Sequence, residues 1–313
     1  MALNSELPYD VLLLGDYFYD LIYTGLPEFP SLGRETFASS ITSTGGAMYI
    51  TAAAMRRLGA RVGWPAQFGT DEYSRFVREL CHSEDLDLSI ARVFDHPFRR
   101  ITTSMPYAGE RAFVTYEDPE PADQLQFWLH NVETTHFRHL HIGGLMPLPQ
   151  LIPLLEAARR RGVTVSMDCQ DSPQLTSPCD WRELLALVDI FMPNAREVRI
   201  ITGHDPIDDA LRTLAEWVPV AVVKDGAHGA CMATNDGVWH APSIAVGEVV
   251  DTTGAGDCFN AGFLYGHLVE HASPLTCLQY GNICGGLSVT GVGGATHAPT
   301  RKGLTEAMNR FYP

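Results

Sequence analysis

The chain has 313 residues, of which 45% are hydrophobic and 19% charged, a composition typical of a globular enzyme with a large buried core. Its formal net charge of −15 argues against nucleic acid or an anionic membrane surface as the main partner. No apolar run approaches the roughly 18 residues of a membrane span. Lys224 and Lys302 are the only lysines, and a Gly-x-x-x-x-Gly-Lys-Ser/Thr sequence is absent, which excludes a P-loop.

The chain also lacks the His-Arg-Asp and Asp-Phe-Gly sequences of protein kinases. Residues 1–10 are polar and have no apolar signal-peptide core. The seven cysteines are scattered without a Cys-x-x-Cys pair, which is typical of reduced thiols. These features predict a cytoplasmic enzyme.

The first predicted element is a buried parallel strand over residues 9–15, a short apolar run that ends in glycine. Asp16 and Asp20 follow at its carboxyl end, where open α/β sheets place ligands; the same pattern would suit two turn carboxylates. Residues 22–42 are rich in Pro, Gly, Thr and Phe, and this composition favours short strands over helix.

Gly45 and Gly46 are predicted to open a helix that runs to Leu58 and stops at Gly59. Residues 98–117 alternate like strands around a turn at residues 108–111, which predicts a β-hairpin. The arginines of this hairpin could face solvent or meet an anionic ligand; they are Arg99, Arg100 and Arg111.

From residue 138 onward, strands and helices alternate. A strand over residues 188–192 precedes Asn194 and Glu197, whose spacing on one helix face is typical of a capping box. A further strand leads into Lys224 and a turn that contains Gly226 and Gly229. Such a turn is a plain hairpin by default.

The most informative stretch is Asp251-Thr252-Thr253-Gly254-Ala255-Gly256-Asp257. This pattern predicts a loop that leads into a helix at about Gly254. Small residues at a helix start leave backbone N–H groups open to an anion, and the helix dipole favours negative charge there. Asp257 would lie in the first turn, either as a dipole-complementing carboxylate or as a general base beside a phosphate.

This stretch resembles the C-terminal signature of the ribokinase/PfkB family of carbohydrate and nucleoside kinases. The Gly45-Gly46 region resembles the family's N-terminal signature, and the Asn194/Glu197 pair and the Lys224 turn match two intermediate motifs in family order. The resemblance covers nearly the whole chain.

The resemblance implies a three-layer α/β/α fold with a mainly parallel central sheet and a small β-sheet lid. Residues 1–313 would form one kinase domain, with lid excursions at about 17–42 and 97–120. The reaction would be transfer of a phosphoryl group from ATP to a hydroxyl of a sugar or sugar-like molecule. Lid-mediated dimers are common in the family, so a homodimer is also expected.

The resemblance also implies roles for individual residues. Asp257 would be the general base, and the amides of Gly254, Ala255 and Gly256 would form an anion hole. The acceptor would contact Asp16, Asp20, Gly45 and Gly46, and the nucleotide would lie against Asn194, Lys224, Gly226, Gly229 and Asn282. Asn194 and Glu197 would organise Mg²⁺ largely through water, and the segment with Asp251 and Thr253 would help to bind K⁺.

Two positions depart from the family pattern. Ile50 replaces an asparagine that usually binds substrate hydroxyls, and Phe18 replaces a residue that is often polar. Both changes predict a more apolar acceptor pocket. They leave two alternatives to a sugar kinase: a nucleoside kinase of the same family, or a catalytically silent member that binds nucleotide or sugar.

Overall fold

The structure, a computed structural model, describes residues 8–108, 110–170, 173–177 and 179–313. Its strands in chain order are β1 (Val11–Leu14), β2 (Tyr17–Thr24), β3 (Ser40–Ala47), β4 (Val62–Gly63), β5 (Gln67–Phe68), β6 (Arg92–Val93), β7 (Arg100–Tyr107), β8 (Glu110–Glu117), β9 (His139–Ile142), β10 (Thr164–Met167), β11 (Ile190–Phe191), β12 (Val220–Lys224), β13 (Ala230–Thr234) and β14 (Gly237–Ala241). Its α-helices are α1 (Met48–Leu58), α2 (Glu72–Ser83), α3 (Gln124–Thr134), α4 (Leu148–Arg160), α5 (Trp181–Leu185), α6 (Ala195–Thr202), α7 (Ile207–Ala215), α8 (Ala255–Leu268), α9 (Pro274–Ser288) and α10 (Arg301–Phe311).

The central sheet has the strand order β14-β13-β12-β11-β10-β9-β1-β4. Pairing is parallel from β4 through β12, and β13 and β14 add an antiparallel edge. The strands of the parallel part are short and apolar because helices cover both of their faces. The predicted mainly parallel sheet is therefore confirmed.

Two hydrophobic cores lie on the two faces of this sheet. Successive side chains of β1 point in opposite directions, so Val11 and Leu13 enter one core and Leu12 and Leu14 enter the other. The first core contains residues of α1, α2, α8, α9 and α10, and the second contains residues of α3 to α7. This is the predicted three-layer α/β/α arrangement.

Helix α8 is buried on almost every side, including all residues from Cys258 to Gly266. It packs against α9 at glycines: a Cβ on Gly262 would lie 2.5 Å from the carbonyl oxygen of Tyr280. On α9, a Cβ on Gly281 would lie within 3 Å of the Phe259 ring. These glycines allow the two backbones to approach closely, which fixes α8 in the centre of the molecule.

A second, smaller sheet has the order β3-β2-β7-β8. The predicted hairpin is present as β7 and β8, although Gly109 of its turn lies outside the described residues. The predicted helix start at Gly45-Gly46 is wrong. Both glycines belong to β3, where they pair with Tyr19 and Phe18 of β2, and α1 begins only at Met48.

The register of the small sheet gives it two different faces. One face presents Phe18 and Asp20 of β2 together with Arg100 of β7 and Glu117 of β8. The opposite face carries mainly apolar side chains. Near α2, Tyr19 of this face contacts the rings of Tyr73 and Phe76; farther out, the face is exposed at Ile41, Tyr107, Val114 and Tyr116.

No α-helix within the described ranges is both long and apolar enough to span a membrane. All seven cysteines fall in those ranges and are present as free thiols.

Candidate active site

The N-terminus of α8 carries the predicted general base. Helix α8 starts at Ala255, so Asp257 lies in its first turn as the sequence predicts. Gly254 is the residue before the helix and has a left-handed backbone (φ 72°), which glycine adopts without strain. A Cβ at Gly254 would also lie 2.5 Å from Ile50 and 2.9 Å from the Gly294 backbone. The left-handed backbone and the lack of space for a Cβ both require glycine at position 254.

The backbone amides at this helix end are only partly used. The Ala255 amide donates to the Thr252 carbonyl oxygen at 3.3 Å, so it is less available than the sequence suggested. Within the described residues, no group accepts a hydrogen bond from the amide of Gly254 or Gly256. These two amides, at the positive end of the helix dipole, are the groups that could bind an anion.

The carboxyl group of Asp257 has an environment that suits proton transfer at neutral pH. Burial raises the pKa of Asp257 from 3.8 to about 7, and the negative charge of Asp168 adds to the increase. Lys224 and the Thr51 hydroxyl oppose this increase in pKa. Thr51 Oγ1, on α1, donates to Asp257 Oδ1 at 3.4 Å. A carboxyl with a pKa near the working pH can take and return a proton efficiently.

Asp20 lies on the polar face of the small sheet and is buried. A Cβ at Gly46 would lie 2.2 Å from Asp20 Oδ2, so the missing side chain of Gly46 makes room for this carboxylate. Burial raises the pKa of Asp20 to about 7, and the negative charges of Asp257 and Asp251 add to the increase. Asp20 is therefore close enough to Asp257 and Asp251 for their charges to affect its ionisation.

Ile50 lies beside the loop that precedes α8. It is buried and packs against Gly254 and Gly294, where it supports the loop before α8. Phe18, in contrast, lines a cleft whose wall also contains Asp16.

Lys224 lies beside the N-terminus of α8, with Nζ 3.6 Å from the position of a Cβ on Gly256. Its ammonium group donates to both oxygens of Asp168 at 2.9 and 2.8 Å and to Asn260 Oδ1 at 3.2 Å. Asn260 in turn donates to Asp168 at 2.5 Å. This buried network places one positive charge near the unpaired amides and holds it there.

Asn194 and Glu197 form the capping box that their spacing predicts. Asn194 Oδ1 accepts from the amides of Arg196 and Glu197, and Glu197 Oε2 accepts from the Asn194 amide. Because these oxygens are already used, the pair fits a metal ion through bridging water better than by direct contact. No cluster of three or more His, Cys, Asp or Glu ready to hold a metal occurs in the part of the chain that the structure describes.

Gly226 and Gly229 bound a single 3₁₀ turn (Gly226–His228) between the antiparallel strands β12 and β13, so the turn is the end of a hairpin. Gly229 has φ 101°, and a Cβ there would lie 2.1 Å from the Ala241 carbonyl oxygen. Asn282 donates to the carbonyl oxygens of Ala241 and Pro242, both at 2.9 Å. In this structure its amide therefore fixes the segment after β14.

Asp251 joins two loops next to α8. Its Oδ1 accepts from the Thr253 amide at 2.9 Å, and its Oδ2 accepts from the Gly293 amide at 3.0 Å. The Thr253 hydroxyl accepts from Arg111 of β8 at 3.4 Å, which brings the small sheet into contact with the loop. Arg99 is instead paired with Asp118 on the surface.

A cleft of about 340 Å³ lies on the same face of the small sheet as Asp20 and includes Asp16 in its wall, but neither Asp20 nor Asp257 lines it. Arg100 is only 1% exposed and pairs with Glu117 at 2.8 Å and Glu120 at 2.7 Å. Its Nε lies 3.7 Å from Asp16. Arg100 is therefore a buried ion-pair residue rather than a solvated arginine.

The pfkB family carbohydrate kinase model matches residues 19–301 of the chain. The chain is a member of the pfkB carbohydrate kinase family. It is accordingly a phosphotransferase with an alcohol group as acceptor, and kinases with named sugar and nucleoside acceptors are among its relatives.

Among proteins similar to this pfkB-family kinase, a fructokinase from Klebsiella pneumoniae is 30% identical over 95% of this chain and 99% of its own length. A 2-dehydro-3-deoxygluconokinase from Bacillus subtilis (strain 168) is 27% identical over 93% of this chain and 92% of its own. The structure of a Burkholderia thailandensis nucleoside kinase in complex with inosine superimposes with a TM-score of 0.79, at 21% identity, over 96% of this chain and 97% of that one. The structural likeness supports the ribokinase-like fold.

Three contacts of this site were not predicted from the sequence. Thr51 contacts Asp257, which lies 206 positions away in the chain, and Asn260 contacts Asp168, which lies 92 positions away. Glu120 joins the Arg100 network from the chain after β8. None of the three belongs to a motif, so only a three-dimensional structure could find them.

Proposed function

We propose that this pfkB-family kinase transfers the γ-phosphoryl group of ATP to a hydroxyl of a sugar or sugar-like acceptor, with Asp257 as the general base. The observation that carries the proposal is the position of Asp257 in the first turn of α8, next to unpaired amides and near enough to Asp20 to influence its ionisation. Phosphoryl transfer depends mainly on positioning and on stabilising charge, and this arrangement supplies both.

In this mechanism Asp20 orients the acceptor by accepting hydrogen bonds from its hydroxyls, and the close approach allowed by Gly45 and Gly46 leaves room for it. Asp257 takes the proton of the hydroxyl that attacks the γ-phosphorus atom. The amides of Gly254 and Gly256, with a smaller part for that of Ala255, stabilise the negative charge that develops on the transferred group. Lys224 adds a positive charge from its buried pair with Asp168.

The nucleotide is proposed to lie along the turn of Gly226 and Gly229, with Asn282 fixing the segment beneath the base. Magnesium would neutralise phosphate charge, and Asn194 and Glu197 would hold it through water, which suits a cation that dehydrates reluctantly.

The loops joined by Asp251 at Thr253 and Gly293 would bind K⁺ through backbone carbonyls. Stimulation of turnover by K⁺ over Na⁺ at fixed ionic strength tests this last point.

An acceptor screen that measures ADP release over sugars, polyols, sugar acids and nucleosides tests the function. Turnover with a sugar-like compound is expected. Preference for a nucleoside would favour the alternative of a nucleoside kinase, which Phe18 supports as an apolar surface for a base. Ligand binding without any turnover would favour a silent binding protein and would overturn the kinase mechanism.

We also propose a cytoplasmic homodimer formed through the exposed apolar face of the small sheet, which includes Ile41, Val114 and Tyr116. Contiguous exposed apolar surface of this kind marks interaction sites. Val114→Glu should convert a dimer into a monomer in light-scattering measurements. A monomeric wild-type protein would contradict the proposal.

A further inference from the structure

The cleft on the Asp20 face of the small sheet has an unusual balance of charge. Its wall includes the carboxylates of Asp16, Glu117 and Glu120, and Arg100 is the only cation among the described residues that line it. Three negative charges thus surround one positive charge. The remaining polar groups of the wall are neutral and are supplied by Gln124, Gln150, Gln170, Gln174 and Trp128.

Arg100 is already committed to these carboxylates. Its two terminal nitrogens donate to Glu117 and Glu120, its Nε faces Asp16, and its guanidinium lies over the Phe98 ring, 4.6 Å from the centroid. A carboxylate on an acceptor would have to displace one of these acidic partners to reach the arginine. The side chains of Glu117 and Glu120 are 54% and 40% exposed, so an acceptor in the cleft would meet their negative charges.

The neutral polar groups suit a different kind of ligand. Three buried polar atoms of the wall have no hydrogen-bond partner among the described residues: Arg100 Nε, Trp128 Nε1 and Gln124 Oε1. Two of these are donors and one is an acceptor. Unpaired buried polar atoms are rare and usually indicate a missing partner such as a ligand group or water. These atoms are almost fully shielded from solvent, so a ligand hydroxyl, which can both donate and accept, would satisfy them after a rearrangement of the surrounding side chains.

We propose that this cleft holds the end of the acceptor distant from the phosphorylated hydroxyl, that the acceptor is an uncharged polyhydroxylated compound, and that Asp16, Glu117 and Glu120 select against acceptors that carry a carboxylate at that end. This inference rests on the proposed kinase function, because it assigns the acceptor class of the same cleft. An ammonium group at that end is tolerated, since the excess negative charge attracts it.

The test compares kcat/KM of the wild-type enzyme for three kinds of acceptor: hexoses or hexitols, the corresponding amino sugars, and the corresponding aldonic acids. The wild type should use the best uncharged compound at least about tenfold better than its aldonic acid, because like charges at close range in a partly desolvated site repel strongly. The discrimination should decrease as salt is raised, since exposed charges are screened.

The double variant Glu117→Gln/Glu120→Gln removes two charges while keeping hydrogen-bonding side chains of similar size. It should reduce the discrimination against aldonic acids by about tenfold. Glu133→Gln is a matched control, because Glu133 is comparably exposed on α3 and pairs with Arg160 outside the cleft. This control should leave the acceptor ranking unchanged.

An aldonic acid used as well as its uncharged partner, or a ranking that the double variant does not change, would overturn the acceptor assignment and leave the kinase function intact. Turnover with no compound of any class would instead overturn the proposed function, and the acceptor assignment with it. Thermal unfolding of both variants verifies that any change does not come from lost folding.

Discussion

The groups proposed for the chemistry come from one continuous stretch, residues 252–257 at the start of α8, whereas Asp16, Arg100 and Glu120 in the cleft, which forms the distal end of the proposed acceptor site, come from separate segments of the chain. The first end is built from backbone amides and one carboxylate, and the second from side-chain charges. Under the proposed function, chemistry depends on a local backbone shape and acceptor choice on tertiary contacts. Substitutions at the α8 end should slow every acceptor alike, and those at the distal end should change their order.

The largest effect is expected for Asp257→Asn. The loss of the proton acceptor should lower kcat by about 10²–10⁴-fold for all acceptors, with little change in the Kd for ATP measured by calorimetry. Asp209→Asn, on the exposed first turn of α7, is a control for a surface charge at a helix start. Normal turnover by the Asp257 variant would remove the base assignment.

Gly46→Ala should have the next largest effect. The new methyl group would overlap the Asp20 carboxylate, so we expect kcat/KM for the acceptor to fall by at least about tenfold, with a smaller change in KM for ATP. Gly303→Ala in α10 meets only ordinary contacts at 3.5 Å or more and serves as the control. Equal acceptor kinetics in the two variants would show that Asp20 does not orient the acceptor.

The pH dependence of kcat/KM should have an acid limb near pH 7 rather than near pH 4. Asp257 and Asp20 both have a pKa raised to about 7, chiefly by burial, and the mechanism requires the ionised forms, so activity should increase as pH rises through 7. The two groups interact, so the limb belongs to the pair. A limb below about pH 5 would contradict this environment.

The same shifts predict the sign of a stability change. Between about pH 4 and 7 the folded state binds more protons at these carboxyl groups than the unfolded state does, so the free energy of unfolding should decrease as pH rises through this window. Urea unfolding at a series of pH values measures this decrease in the free energy of unfolding. In Asp257→Asn the decrease should be smaller, because one of the two groups no longer titrates.

Thr51→Val should have the smallest effect. It removes the hydroxyl that donates to Asp257 at 3.4 Å while nearly keeping side-chain volume. Because this hydrogen bond lowers the pKa of Asp257, its loss should move the acid limb upward by a fraction of a pH unit and reduce kcat a few-fold. An unchanged pH profile would show that Thr51 only packs against the carboxylate.

The sequence predicted those parts of the site that depend on neighbouring residues. The start of α8 and the place of Asp257 followed from small residues ahead of an apolar helix, and the capping box of Asn194 and Glu197 followed from their spacing. Gly45 and Gly46 were misassigned because a glycine pair before a helical pattern looks like a helix start. Their place in β3 depends on pairing with β2, a contact that local sequence does not encode.

The distal network could not be predicted for a related reason. Arg100 appears in the sequence as one of two adjacent arginines in an alternating segment, and nothing local distinguishes it from Arg99. The pairing register of β7 and β8 turns one toward the cleft and the other toward the surface. Burial of a charge is a property of the assembled sheet.

The chain passes from β3 into α1 without a loop: Ala47 ends the strand, with φ 50°, and Met48 begins the helix. The small sheet and Thr51 are therefore joined by a few residues of continuous backbone, through which a displacement of one would be transmitted to the other. We expect this linkage to couple acceptor occupancy to the orientation of the Asp257 carboxylate. Water, which is too small to displace the sheet, would then be a poor substitute for the acceptor, and wasteful ATP hydrolysis would stay slow.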